Sequence, residues 1–240
     1  MPVKNAFAQL PLGVILRDAA SFDNYISGGN VEAVAALRQV AEGRGDQCIF
    51  LWGGQGVGKS HLLQAVCRHM TAGELTTVYL PLRQFQELSP SMLHGLETLV
   101  AVCIDDIDAI IGIREWEEAI FHLYNKMRDN GGRFVGTGNV APNDLPLLLP
   151  DLRSRLGWGV VFHLRPLSDE EKIAAVQLRA RGRGIELPND VAVFLLRHYQ
   201  RDTASLFSLL DRLDESSLVT QRRITVPFVR EILRLGSNNR

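Results

Sequence analysis

Gln47-Cys48-Ile49-Phe50-Leu51-Trp52-Gly53-Gly54-Gln55-Gly56-Val57-Gly58-Lys59-Ser60-His61 is the stretch that decides the fold. Its first half is a continuous apolar run of strand length, the pattern of a strand covered on both faces. Its second half, Gly53 to Ser60, fits G-x-x-x-x-G-K-[ST] in full, and the helical spacing of Leu62, Leu63, Val66 and Met70 follows at once. Glycines let the backbone curl so that successive N–H groups converge on phosphate oxygens, and the helix start adds the positive end of its dipole. Gly54, Gln55, Gly56, Val57, Gly58 and His61 are the expected cradle. Lys59 can reach the outer phosphates, and the Ser60 hydroxyl suits a magnesium ion. A glycine-rich turn with an incidental lysine would not bring both flanks with it.

Downstream, a strand over Thr76 to Leu80 and a short mixed segment with Phe85 and Leu88 precede Leu99-Val100-Ala101-Val102-Cys103-Ile104-Asp105-Asp106. An apolar strand ending in two acids is what a central parallel strand needs where its carboxyl end faces a metal-bound nucleotide. Asp105 then orients magnesium through its water shell, and Asp106 polarises or positions an attacking water. Adjacent acids also occur in surface turns; the apolar strand and the upstream phosphate loop favour the functional reading. The helix Glu115 to Asp129 closes at Gly131-Gly132, and the next strand runs through Arg133 to Asn139. Its small polar end offers Thr137 and Asn139 as candidate sensors of the outer phosphate, against a plain loop cap. Asp151-Leu152-Arg153-Ser154-Arg155-Leu156-Gly157-Trp158-Gly159 reads as a glycine-bounded turn. Arginines in such a turn are usually solvated, but one projecting from the domain could enter a neighbouring subunit's phosphate site.

A strand over Val160 to Leu164 completes five, and from Ser168 the pattern is helices only: Ile173 to Arg181, Val191 to Gln200, Ala204 to Leu218, and Pro227 to Leu235. The expected organisation is a tail over 1–20, an α/β domain over 21–165 and a helical domain over 166–240. Upstream of the phosphate loop, Asn30 is a plausible N-cap for a helix Val31 to Val40. In the tail, Gln9-Leu10-Pro11-Leu12 resembles the short peptide with which bacterial proteins dock on the DNA polymerase sliding clamp, leucines in an apolar pocket and glutamine at its rim. The alternative is a leucine tail folded back on its own domain, and Gly13 departs from the usual last residue.

Composition bounds the classes. With 46% hydrophobic and 22% charged residues and no apolar run long enough to cross a bilayer, the chain is expected in the cytoplasm with no membrane partner. Cys48, Cys67 and Cys103 lie far apart without metal-ligand spacing, so they are expected to be buried fillers. Net charge is −5 over 1–150 and +4 over 151–240, the latter almost all arginine. That suits a phosphate or an acidic partner and falls short of a dedicated DNA binder.

The order of these motifs resembles the AAA+ ATPases, and within them the bacterial DnaA family. Ser21-Phe22-Asp23-Asn24-Tyr25, Gly58 to Val66, Ile104-Asp105-Asp106-Ile107 and Arg153 to Gly159 carry the likeness, which covers nearly everything from residue 21 to 235. It implies an α/β fold, an AAA+ P-loop NTPase core with a five-stranded parallel sheet, followed by a small all-helical lid. It implies an adenine nucleotide, ADP or ATP, with Mg2+, and adds Tyr25 and Ile26 to the nucleotide-binding set. Arg155 matches the family's arginine finger, with Arg153 left open as an accessory. Family members place a phosphate-sensing arginine where this sequence has Ala204; Arg201, one helical turn earlier, either substitutes or is a surface arginine. Without that sensor, hydrolysis of the chain's own nucleotide is expected to be weak.

Three departures sharpen the likeness. DnaA continues into a helix-turn-helix domain, whereas this sequence stops at Arg240, so sequence-specific DNA binding is not expected. The segment between Leu80 and Asp105 is shorter than in DnaA, and a short tail stands in place of a large N-terminal region. A DnaA-like module with a clamp-docking tail is similar to the Hda group, which switches DnaA off after replication begins. The resemblance therefore implies two partners, the sliding clamp through Gln9, Leu10 and Leu12 and a DnaA-type initiator through Arg155. Self-association into a homodimer or oligomer is left open by the sequence. The alternative is an autonomous ATPase of the helicase-loader type, as in DnaC or IstB, for which the tail motif would be accidental.

Overall fold

A computed structural model of the chain describes residues 20–199, 203–220 and 223–237. Five parallel strands, β1 (Cys48–Trp52), β2 (Thr77–Pro81), β3 (Ala101–Asp105), β4 (Arg133–Gly138) and β5 (Val160–His163), lie in the order β2-β3-β4-β1-β5. Helices α1 (Val31–Ala41) and α2 (Lys59–Ala72) cover one face; α3 (Arg114–Asp129) and α4 (Pro150–Trp158) cover the other.

The sandwich follows from strand alternation. Along β1, Ile49 and Leu51 pack with α1 and α2 while Cys48 and Phe50 pack with α3 and α4. β3 does the same with Ala101 and Cys103 against Val102 and Ile104. A strand with apolar residues on both faces is stable only when both are covered, which is why these runs are unbroken in the sequence. The three cysteines are buried and free, as the sequence implied.

Behind Leu164 the chain enters α5 (Asp169–Arg181), α6 (Asn189–His198), α7 (Thr203–Thr220) and α8 (Val226–Ser237), which share a core of their own around Leu195, Leu209, Leu213 and Phe228. Ser168 opens α5 with a full capping box: its Oγ accepts from Glu171 N at 3.2 Å and Glu171 Oε2 accepts from Ser168 N at 2.7 Å. Among the described residues no helix is long and apolar enough to cross a membrane.

Two local expectations change. Residues 150–158 form a helix, not a turn. Pro150 stands at its first position, Asp151 complements the dipole of the first turn, and Leu152 and Leu156, one turn apart, are fully buried. Gly157 is carried inside the helix, and Gly159 is the residue that ends it. A Cβ at Gly159 would sit 2.2 Å from the Cys48 carbonyl oxygen. Gly159→Ala is therefore expected to force the start of β5 away from β1 at a cost of about 1–3 kcal/mol. A thermal melt should show this as a loss of roughly 2–12 °C; an unshifted melt would mean that the two strands can part freely. The second change concerns Asn30, which makes no side-chain cap on α1. Its buried amide instead reaches the chain just past β5, donating to Arg165 O at 3.0 Å and accepting from Arg165 N at 2.8 Å. That pair holds the chain where it leaves β5 for the helical domain.

Candidate functional site

The loop after β1 turns on Gly58, whose φ of 98° is open to glycine at little cost. A Cβ there would also meet the Tyr25 ring at 2.5 Å, so the loop and the Tyr25 segment close on each other only without a side chain. Tyr25 locks that contact by donating its hydroxyl to Val57 O at 3.2 Å, and burial pushes its pKa up to about 12. His61, on the first turn of α2, tilts against Tyr25 and bonds Ser21 O at 2.9 Å.

Lys59 is buried at the centre of the loop. Its ammonium donates to Gly53 O at 2.6 Å, Gly54 O at 3.1 Å and Asn139 Oδ1 at 3.3 Å. Burial lowers its pKa, with Asp106, Asp105 and Asp108 acting in the opposite sense. A cation fixed this way, at the start of a helix and under curled backbone amides, fits the negative charge of a polyphosphate.

The acids come from the adjacent strands. Asp105 ends β3 and is fully engaged: Oδ2 accepts from Tyr79 Oη at 2.7 Å, and Oδ1 from Thr137 Oγ1 at 2.5 Å. Thr137 also accepts from Asp106 N at 2.8 Å, so it sets the two acids in place from within the sheet and is wholly buried. Of the two sensor candidates, Asn139 is the one that reaches the loop. It bonds Lys59 through Oδ1 and Asp108 through its backbone N, at 3.1 Å, and its Nδ2. Asp106 takes a left-handed backbone, φ 55°, and its carboxylate meets the Arg83 guanidinium, Nε to Oδ2 at 2.7 Å.

Between this loop and the helical domain lies a cavity of about 470 Å3, within the usual range for a small-molecule site. Tyr25, Ile26, Gly56, Val57, Gly58 and His61 line one side; Leu178, Arg179, Arg183 and Phe207 line the other. Apolar walls suit a flat ring and the phosphate cradle lies beside them, while Arg179 and Arg183 are ion-paired with Asp211. Ser60 stands on the first turn of α2 and Asp105 at the end of β3, the positions from which magnesium would be held.

Arg155 is elsewhere. It sits half-buried on α4 with its guanidinium 5.8 Å from the centre of the Trp158 ring, and Arg128 lies 5.3 Å from the same ring. Trp158 is 66% exposed. Through Gly159 this corner packs on Cys48, the first residue of β1, whereas the phosphate loop leaves the last. A five-residue strand, roughly 16 Å long, separates the two ends. Among the described residues Arg155 makes no ion pair.

With this geometry in hand, the comparisons place the chain. The model of the bacterial DnaA ATPase domain matches residues 16–163, and that of the Hda lid domain matches residues 169–233. The chain is an Hda-like member of the DnaA family of AAA+ proteins. Domain III of the replication initiation protein DnaA from Thermotoga maritima is 26% identical, with a TM-score of 0.81 over 92% of this chain and 98% of that one. AMPPCP-bound DnaA from Aquifex aeolicus is 20% identical, with a TM-score of 0.71 over 83% of this chain and 66% of that one. The Holliday junction branch migration motor RuvB from Thermotoga maritima is 19% identical, with a TM-score of 0.67 over 92% and 72%. The last two share the fold.

In this DnaA-family chain, Gln9, Leu10, Leu12 and Arg201 lie outside the described residues. Three residues that the sequence reading passed over, and Asn30, which it read only as a helix cap, help build the site. Asp108 is the third acid of the Asp105-Asp106-Ile107-Asp108 run, and that spacing was its only signal. Asn30 and Arg83 act through partners far away in sequence. Glu117 is fully buried on α3 and accepts from Leu149 N at 2.8 Å and Gly112 N at 3.0 Å, so it fixes the start of the helix that carries Arg155.

Proposed function

We propose that this chain is a nucleotide-loaded regulator that switches off a DnaA-type initiator by offering Arg155 to the initiator's bound ATP. The carrying observation is the position of Arg155, at the opposite end of β1 from the chain's own loop and without an ion-pair partner among the described residues. An arginine that cannot reach the phosphates beside it is suited to those of a neighbour. As the terminal phosphoryl leaves, the guanidinium fork neutralises charge spreading over its oxygens.

The chain's own site holds ADP or ATP. The adenine ring enters the cavity beside Tyr25 and Ile26, the phosphates take the amides of Gly54 to His61, and Lys59 sits against the outer ones. Support comes from the family membership and from the relative solved with AMPPCP bound. Ser60 would hold a magnesium ion and Asp105 would orient its water shell, and the ion would neutralise phosphate charge. The protein works in the cytoplasm, as a 1–20 docking tail, a 21–165 nucleotide domain and a 166–240 lid. Gln9, Leu10 and Leu12 dock on the sliding clamp, so stimulation is confined to DNA under synthesis and re-initiation is prevented.

The test mixes the full chain with DNA-loaded clamp and ATP-bound initiator. Hydrolysis by the initiator is expected to rise above its own rate. Replacing Leu10 and Leu12 together with alanine should abolish co-migration with loaded clamp on a sizing column while nucleotide binding persists. No rise in the initiator's hydrolysis, with steady turnover by the chain alone, would favour the helicase-loader type of ATPase instead.

A further inference from the structure

Trp158, the last residue of α4, is the largest apolar side chain left in solvent among the described residues. A lone exposed ring is ordinary, but this one has built surroundings. It follows Arg155 by three residues on one helical face, and Arg128, from the last turn of α3, reaches the same ring. The ring also walls a cavity of about 330 Å3, which Asp46, Cys48, Tyr124, Arg128, Phe134 and Val160 help to line. Tyr124 and Phe134 are buried and meet edge to face at 5.4 Å, and Tyr124 is hydrogen-bonded to Cys48, so the core holds the cavity in shape.

Among the described residues the ion-pair partner of Arg128 is Asp129, its neighbour in sequence, which is itself exposed. Such a pair is weak and readily exchanged for another. An exposed tryptophan flanked by arginines, over a cavity with aromatic walls, has the composition of an anchor site in a protein interface.

What covers this surface follows from Arg155. Its guanidinium and the Trp158 ring share one helical turn, so a partner that takes Arg155 into its phosphate site brings the rim of that site over the ring. Such a rim is acidic. A phosphate-loop ATPase keeps a carboxylate beside its metal-bound phosphates, and this chain gathers Asp105, Asp106 and Asp108 around Lys59 in the same way. We propose that Trp158, Arg128 and their cavity are the docking surface for the rim of the partner's phosphate site, with an apolar side chain of the rim in the cavity and a neighbouring carboxylate on Arg128. Docking and phosphoryl chemistry are then carried by different residues. This rests on the regulator reading above.

The experiment follows the initiator's ATP hydrolysis at saturating loaded clamp while the concentration of the full chain is raised. Arg128→Glu is expected to raise the half-saturating concentration by about tenfold or more, with the rate at saturation and the affinity for ADP retained. Trp158→Ala should raise it likewise, and Trp158→Phe, which keeps a ring beside Arg155, should fall between. Arg155→Ala, in contrast, loses rate at every concentration. A half-saturating concentration that neither Arg128→Glu nor Trp158→Ala moves, or an Arg128→Glu variant that lowers only the saturated rate, would overturn the proposal while the regulator reading stands. So would a sizing column on which the unaltered chain alone runs as a dimer and Trp158→Ala as a monomer, since a second copy would then occupy the surface. Absence of stimulation by the unaltered chain at every concentration would remove the regulator reading, and this proposal with it.

Discussion

Arg155→Ala is expected to reduce stimulation of the initiator's ATP hydrolysis by about 10³-fold, the lower end of what an arginine supplied in trans contributes. The size of the effect follows from where the residue acts. Its cation is brought to a water-poor site as charge develops, where neutralisation is worth far more than at a solvated surface. Arg155→Lys should recover only a small part, because an ammonium cannot span two phosphoryl oxygens as a planar fork does. Folding should change little. The residue is half-exposed and its described contact is the Trp158 ring, worth about 0.5–1 kcal/mol at an exposed position. A normal melt together with lost stimulation separates a functional arginine from a structural one.

Lys59→Ala is expected to weaken nucleotide binding by about 10- to 100-fold, since one charge-assisted hydrogen bond of about 1.5–3 kcal/mol is lost. Isothermal titration with ADP reads this directly. Stability of the ligand-free protein should not fall with it. Burial lowers the Lys59 pKa, so the unfolded chain holds that proton more tightly than the folded one. Where the unfolded state binds more protons, stability rises with pH. The unaltered protein should thus gain stability as pH climbs from the lowered folded value toward the ordinary lysine value, and Lys59→Ala should lack that gain. A variant that lost stability at neutral pH would show that the ammonium is a net support of the loop.

Much of the fold was legible because it is written locally. The apolar runs of β1 and β3 each alternate between two helical layers, and a strand covered on both faces has no other composition open to it. Gly53 to Ser60 announced the phosphate loop, and Asp105-Asp106 announced its neighbour strand, because both chemistries sit on consecutive residues. The helix over 150–158 was hidden by Gly157 and Gly159, which punctuate the sequence like a turn; the buried Leu152 and Leu156, together with Pro150 at the start, outweigh them. Arg83 and Glu117 were not legible at all, and Asn30 was legible only as the position of a helix cap. Each gains its role from a partner that only the sheet order or the helix packing brings near: β2 beside β3 for Arg83 and Asp106, the exit from β5 for Asn30, and the start of α4 for Glu117.

The deciding question is whose triphosphate is cut. Initiator carrying ATP labelled at the terminal phosphate, mixed with loaded clamp and with this chain carrying unlabelled ADP, isolates that question in a single turnover. Rapid release of labelled phosphate that requires Arg155 is the expected result. Label that stays on the initiator while the chain, given ATP, releases phosphate from its own site would contradict it.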